Sequence, residues 1–122
     1  MLGKTKILIV DDEDSLRTLV KDELNQRGYD VAEADCGETA LEKLGIDRFD
    51  LVILDIGMPG IDGIGVLQKI RENNFADKVI MLTGVDELKI ARETLHLGAN
   101  DFLSKPFDFR NLAACIDRVL KE

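Results

Sequence analysis

Short apolar runs alternate with segments of helical period along the whole chain. The runs are Ile7–Val10, Val31–Ala34, Leu51–Leu54, Val79–Leu82 and Phe102–Leu103. The first, third and fourth are nearly unbroken and rich in Ile, Val and Leu, the pattern of parallel strands covered on both faces. The second and fifth are weaker and more mixed, which suits the edges of a sheet. Between the runs, Leu16, Leu19, Val20 and Leu24 recur at helical spacing, as do Ile64, Leu67 and Ile70, and then Leu112, Ile116, Val119 and Leu120. Asp14, Asp62, Asp86 and Asp108 stand where helix N-caps are wanted, and Gly28, Gly45 and Gly98 where helices should stop. The rhythm is five β units and five α units in strict alternation. It predicts one three-layer α/β domain over 1–122, with a parallel five-stranded sheet and right-handed crossovers. With no linker, low-complexity tract or internal repeat, the chain reads as a free-standing domain or as one cut from a longer protein.

Composition narrows the class. At 122 residues, 45% hydrophobic and 33% charged, the chain can bury one core and reads as a soluble globular domain. No apolar run is long enough to span a bilayer, and Met1–Lys6 lacks the apolar stretch of a signal peptide, so the expected location is cytoplasmic. Cys36 and Cys115 have neither metal-like nor redox-like spacing and read as packing residues, and His96 stands alone. A net charge of −8 argues against nucleic-acid binding by this domain alone, since phosphate backbones select basic faces.

The placement of the acids changes the picture more than their number. In a parallel α/β sheet, sites lie beyond the carboxyl ends of the strands. After the first run come Asp11 and Asp12; at the end of the third, Asp55; at the end of the fourth, Thr83; after the fifth, Ser104, Lys105 and Pro106. Each fragment alone has a plain structural explanation: an acidic helix start for Asp11-Asp12-Glu13, a turn for Asp55, a strand end for Thr83-Gly84, a solvated lysine for Lys105. The coincidence at four strand ends does not. Two carboxylates ~5 Å apart at an effective dielectric of ~20 repel by roughly 3 kcal/mol, and three such pairs by about 10 kcal/mol. Such a cluster calls for protonation or a cation, and hard carboxylate oxygens on a partly open rim suit Mg²⁺. The glycines at 57, 60, 63 and 65 match neither phosphate-cradling loop pattern, so they give no case for a nucleotide.

Ile9-Val10-Asp11-Asp12-Glu13, Leu54-Asp55-Ile56-Gly57-Met58-Pro59-Gly60-Ile61-Asp62-Gly63, Leu82-Thr83-Gly84 and Phe102-Leu103-Ser104-Lys105-Pro106-Phe107 together resemble the receiver domains of two-component response regulators. The resemblance covers nearly the whole chain and implies a flavodoxin-like fold with strand order 2-1-3-4-5. It implies Asp55 as phosphoacceptor from a sensor histidine kinase, and Mg²⁺ held by Asp11, Asp12, Asp55 and the backbone carbonyl of Gly57. It further implies Thr83 and Lys105 on the phosphoryl oxygens, a cis Lys105–Pro106 bond, and a switch through Thr83 and Phe102. Output would leave by the face of the fourth helix, fifth strand and fifth helix, with Ile90, Leu95, Phe107 and Phe109 as an apolar patch and Lys89 and Arg92 on its rim. The partner there would be an effector domain, a target protein or a second phosphorylated copy. By the same resemblance Gly57 and Val85 would occupy the two positions that tune dephosphorylation: Gly57 leaves room for water and Val85 cannot orient one. Two other readings stay open on the residues. A haloacid dehalogenase-type Mg²⁺ phosphohydrolase would use Asp12-Glu13-Asp14, although Leu16 stands where that family wants Thr or Val. A receiver-like interaction module would signal without phosphorylation.

Overall fold

The five apolar runs form strands β1 (Lys6–Val10), β2 (Asp30–Ala34), β3 (Phe49–Asp55), β4 (Ala76–Thr83) and β5 (Asp101–Ser104). They make one wholly parallel sheet in the order β2-β1-β3-β4-β5, so the two mixed runs are its edges. Helices α1 (Asp14–Gln26), α2 (Gly37–Ile46), α3 (Gly63–Asn73), α4 (Leu88–His96) and α5 (Phe109–Leu120) connect or follow the strands, with a 3-10 turn at Val85–Glu87 before α4. This is the flavodoxin-like topology expected from the sequence. The computed structural model describes residues 3–122.

Successive residues of a strand point to opposite faces, and each unbroken run therefore feeds two cores at once. Leu8, Val10, Val52, Leu54, Val79 and Met81 face one side, where they meet Ala40 and Leu44 of α2, Val66, Leu67 and Ile70 of α3, and Ala91 of α4. Ile7, Ile9, Leu51, Ile53, Ile80 and Leu82 face the other, against Val20 and Leu24 of α1 and Leu112, Cys115, Ile116 and Val119 of α5. Each fully buried side chain of this size stabilises by about 1.5–3 kcal/mol relative to exposure. The central strands are consequently buried on both faces. By contrast α4 buries only Ala91 and Thr94, while Leu88, Ile90 and Leu95 stay exposed.

The helix ends agree with the sequence in part. Asp62 and Asp108 are N-caps, accepting from the backbone N–H of Gly65 and Asn111 at 2.9 Å each. Gly28 and Gly98 end α1 and α4 with φ of +94° and +109°, the left-handed region that glycine enters without a Cβ clash. Asp14 is not a cap. Asp11 turns back to accept from Glu13 N–H at 2.9 Å, the helix opens from Glu13, and Asp14 pairs with Arg17 one turn on. Asp86 is not a cap either: it lies within the 3-10 turn, and Glu87 reaches back to the Gly84 N–H. Nor does Gly45 stop α2, which runs on to Ile46 and closes with Asp47 N–H on the Lys43 carbonyl at 3.0 Å. Asn74, at φ 53°, ends α3 in glycine's usual place.

Cys36 and Cys115 are free thiols, the first half-buried and the second in the core, and His96 is exposed. Burial, with Asp101 nearby, pushes the Cys115 thiol up to about 11, as befits a packing residue.

Gly63 is the tightest point of the loop that follows Asp55. A Cβ there would lie 2.2 Å from the Asp55 carbonyl oxygen. Gly63→Ala should therefore cost about 2 kcal/mol or more in urea unfolding. Gly45→Ala should instead stabilise by about 0.5 kcal/mol, because the position is helical and nothing lies within 4 Å of the added carbon. A loss of stability at Gly45 would show that α2 ends earlier than described.

Candidate functional site

Parallel strands all finish at the same edge, so whatever residue ends each strand joins a common rim. Asp55 is the last residue of β3 and Thr83 the last of β4. The sheet's hydrogen bonding continues one residue past the strands: Asp11 N–H donates to the Ala34 carbonyl at 3.2 Å, Ile56 N–H to Leu82 at 3.0 Å, and Lys105 N–H to Thr83 at 2.7 Å. The backbone beneath each chemical group is thereby fixed before any side-chain interaction is counted. The Lys105–Pro106 bond is cis.

Asp11 and Thr83 are fully buried, Asp55 is 5% exposed, and Asp12 stands in solvent. Asp11, Asp12 and Asp55 each present a carboxylate oxygen within 4.8 Å of the others. Lys105 Nζ lies 2.7 Å from Asp11 Oδ2 and 3.6 Å from Asp55 Oδ2. The first contact is a close ion pair. Asp11 Oδ2 and Thr83 Oγ1 are the two buried side-chain oxygens, among the described residues, without a hydrogen-bond partner. Asp11 Oδ2 still has the Lys105 ammonium against it, but a buried hydroxyl is rarely left as Thr83 Oγ1 is.

Electrostatics agree. Burial pushes the Asp55 carboxyl up to about 6, with the Asp11 charge adding to the rise; Lys105 and a long 3.4 Å contact from Gly57 N–H oppose it. For Lys105, burial opposes the charge, but the pairing with Asp11 and the charges of Asp55 and Glu13 outweigh it and hold the ammonium above its usual range. One lysine faces three acids. Three converging carboxylates, one of them open to water, fit a small hard cation such as Mg²⁺. The five residues expected at this site from the sequence, Asp11, Asp12, Asp55, Thr83 and Lys105, are all brought to one rim.

The family model of the response regulator receiver domain matches residues 7–117. This chain belongs to that family. It is 40% identical over 116 residues to the alkaline phosphatase synthesis transcriptional regulatory protein PhoP of Bacillus subtilis, covering 95% of this chain and 48% of that one. It is 41% identical over 114 residues to the transcriptional regulatory protein ZraR of Escherichia coli K12, covering 93% of this chain and 26% of that one. The receiver spans about half, or less, of the length of these curated relatives. Among solved structures, the chemotaxis protein CheY4 of Vibrio cholerae superposes with a TM-score of 0.89 at 33% identity, covering 96% of this chain and 99% of that one. The receiver domain of the Francisella response regulator 1452 gives 0.88 at 30%, covering 97% and 98%.

Two residues of this receiver's rim escaped the sequence reading. Arg17 reaches from α1 to donate to the Asp11 carbonyl at 2.9 Å, while also pairing with Asp14 and Glu33, and so braces the first acid. Its i,i+3 spacing from Asp14 was legible; the contact with Asp11 was not. Glu87 is the other, its carboxylate 2.8 Å from Gly84 N. The only signal was Gly84-x-x-Glu87, which reads as half of a capping box. This carboxylate lies beside Gly57, where an added Cβ would be 3.0 Å from Glu87 Oε2. The Val85 side chain lies outside the described residues.

Because the Asp55 carboxyl titrates near 6 in the folded receiver, against an ordinary 3.8, the folded state holds the proton more tightly than the unfolded one. The resulting stability is full below about pH 4 and is lost as pH rises through about 6, a total of about 3 kcal/mol. Urea unfolding of metal-free protein across that range should show this slope as the difference between the parent and Asp55→Asn. Identical pH profiles for the two would mean that Asp55 is not a strained acid.

Proposed function

We propose that Asp55 is the phosphoacceptor of this two-component receiver, and that the rim formed with Asp11, Asp12, Thr83 and Lys105 drives and stabilises the transfer. The convergence of three carboxylates with the buried, unpartnered Thr83 hydroxyl and the Lys105 ammonium carries the reading. An Asp55 carboxylate oxygen attacks the phosphorus of a kinase's phosphohistidine, the phosphorus–nitrogen bond breaks, and the imidazole leaves with the electron pair. An anion thereby attacks an anionic group, so charge compensation and in-line positioning supply the catalysis. Lys105 and the Thr83 hydroxyl are the donors for the phosphoryl oxygens. Asp11, Asp12, Asp55 and the Gly57 carbonyl are the residues to hold Mg²⁺, which when bound neutralises the charge that collects there. The receiver acts on itself alone, not as a turnover enzyme on outside substrates.

The phosphohydrolase alternative loses its second acid, because Asp14 opens α1 and pairs outward with Arg17 instead of returning to the rim. The phosphorylation-independent module is disfavoured by the presence of the whole constellation. In our reading the kinase is a sensor histidine kinase and the compartment is cytoplasmic; among the described residues no helix is long and apolar enough to cross a membrane. The output partner is an effector domain, a target protein or a second phosphorylated copy. The route is a shift of Thr83 toward the phosphoryl group, with Phe102, half-buried against the α2–α3–α4 side, moving behind it. The output face is narrower than the sequence suggested. Ile90 and Leu95 are exposed on α4, with Lys89 and Arg92 beside them, but Phe107 and Phe109 pack against the α1–α5 core, and Arg27 sits 4.8 Å over the Phe109 ring.

Incubation with acetyl phosphate and Mg²⁺ should add one hydroxylamine-labile phosphoryl group, read by intact mass and lost in Asp55→Asn. A label on Asp12, or one undiminished in that variant, would overturn the assignment. Mg²⁺ at roughly ten times its dissociation constant should stabilise the unphosphorylated receiver by about 1.4 kcal/mol. Asp12→Ala should raise metal-free stability by removing one repelling charge, yet abolish the Mg²⁺ response; a melting temperature indifferent to millimolar Mg²⁺ in the parent would count against the metal site.

A further inference from the structure

Glu87 has no part in the reading above, yet it lies on the same rim. Its Oε1 accepts from Gly84 N–H at 2.8 Å, and its Oε2 reaches the position where a Gly57 side chain would begin. The carboxylate is bonded to the loop after β4 and lies beside the loop after β3, next to residues one beyond Thr83 and two beyond Asp55. A Cβ at Gly57 would lie 3.0 Å from Oε2, so a side chain there would make the carboxylate give by a few tenths of an ångström. A glutamate that reaches back to the first N–H of a turn is the usual half of a capping box; here the N–H it takes belongs to the residue after Thr83.

The donors of the rim explain the placement. They are the Thr83 hydroxyl, which is buried and unpartnered, the Lys105 ammonium, the Gly57 N–H weakly aimed at Asp55, and the Gly84 N–H. Glu87 holds the last of these. A phosphoryl group drawn to Thr83 meets the next N–H along the chain already bound to a carboxylate, and one N–H donates well to one oxygen at a time.

We propose that Glu87 is a resident anion, which occupies the Gly84 amide in the unphosphorylated receiver and is displaced from it when Asp55 carries a phosphoryl group. The inference rests on Asp55 as phosphoacceptor. Its consequence follows from the chain: Glu87 ends the 3-10 turn and immediately precedes Leu88, the first residue of α4. Displacing the carboxylate unpins the start of α4, a helix anchored by only Ala91 and Thr94. Phosphorylation then reaches the exposed α4 surface by competition for a backbone donor, a route separate from Thr83 and Phe102. In the resting state Glu87 opposes phosphoryl entry, so it is a positioning residue that sets the readiness of the site.

Beryllofluoride with Mg²⁺, followed by amide NMR, tests this without a kinase. Glu87→Gln keeps the size and an acceptor oxygen but drops the charge, and Glu87→Ala removes both. Removing a charged competitor for one hydrogen bond should tighten beryllofluoride binding about tenfold in Glu87→Ala, with Glu87→Gln between it and the parent. In unliganded Glu87→Ala, the Gly84 amide and those of Leu88–Leu97 should shift toward their positions in the liganded parent. Should Glu87→Ala unfold the turn, Glu87→Gln carries the test. Parent-like or weaker affinity in the folded variants, with at most a lower melting temperature, would reduce Glu87 to a cap and overturn the inference. Failure of the parent itself to bind beryllofluoride at Asp55 would instead sink the phosphoacceptor reading on which it stands.

Discussion

The structure turns on holding Asp11 and Asp55 side by side out of water with only Lys105 between them. Two carboxylates in contact with the interior repel by a few kcal/mol at this separation, and each also loses hydration. The rise of the Asp55 carboxyl to about 6 is the measure of that burden. A loop would relieve it by moving; the rim cannot. Its backbone is an extension of strands whose side chains are buried on both faces, and hydrogen bonds from Asp11, Ile56 and Lys105 continue the sheet beneath it. The two cores are therefore the reason the acids stay together, and their packing energy is what the strained site draws on.

The helices divide accordingly. α1 and α5 are fastened by Val20, Leu24, Leu112, Ile116 and Val119, and α3 by Val66, Leu67 and Ile70. α4 has only a small residue and a threonine against the sheet, with Thr94 Oγ1 donating to the Ala91 carbonyl within its own helix. Its large apolar residues face solvent. A switch needs an element whose two arrangements differ by only a few kcal/mol, so that one added group shifts the balance. The least anchored helix follows directly on the strand that ends in Thr83. That is where a rearrangement following the proposed phosphorylation would meet least resistance.

Much of this was legible in the residues. Period-two packing does not show in Ile7–Val10 or Leu51–Leu54, because both faces are apolar, but that lack of alternation is itself what a doubly covered parallel strand looks like. Four strand ends bearing Asp, Asp, Thr and Lys then named the rim, since parallel strands must deliver their termini to one edge. The capping errors share one cause. Asp14 and Asp86 were assigned by residue type and position, whereas a cap depends on which acceptor reaches the free N–H first. α1 opens from Glu13 with no side-chain cap, and at the 3-10 turn Glu87 takes the Gly84 N–H. Gly45 was read as a stop because glycine often is one, yet nothing in the fold requires a left-handed residue there.

By itself, then, the amino-acid sequence determined the alternation of strands and helices, the edge at which the polar groups collect and which residues stand there. These are properties of spacing and residue type along the chain, and a parallel sheet converts them into a shared rim without further information. Only the tertiary structure decided what each group touches. That Asp11 is wholly buried and Asp12 is not, that Phe107 and Phe109 turn to the α1–α5 core, and that Glu87 crosses to Gly57 depend on contacts between segments far apart in sequence. Such contacts are set by three-dimensional packing and by competition for backbone donors, which no local pattern encodes.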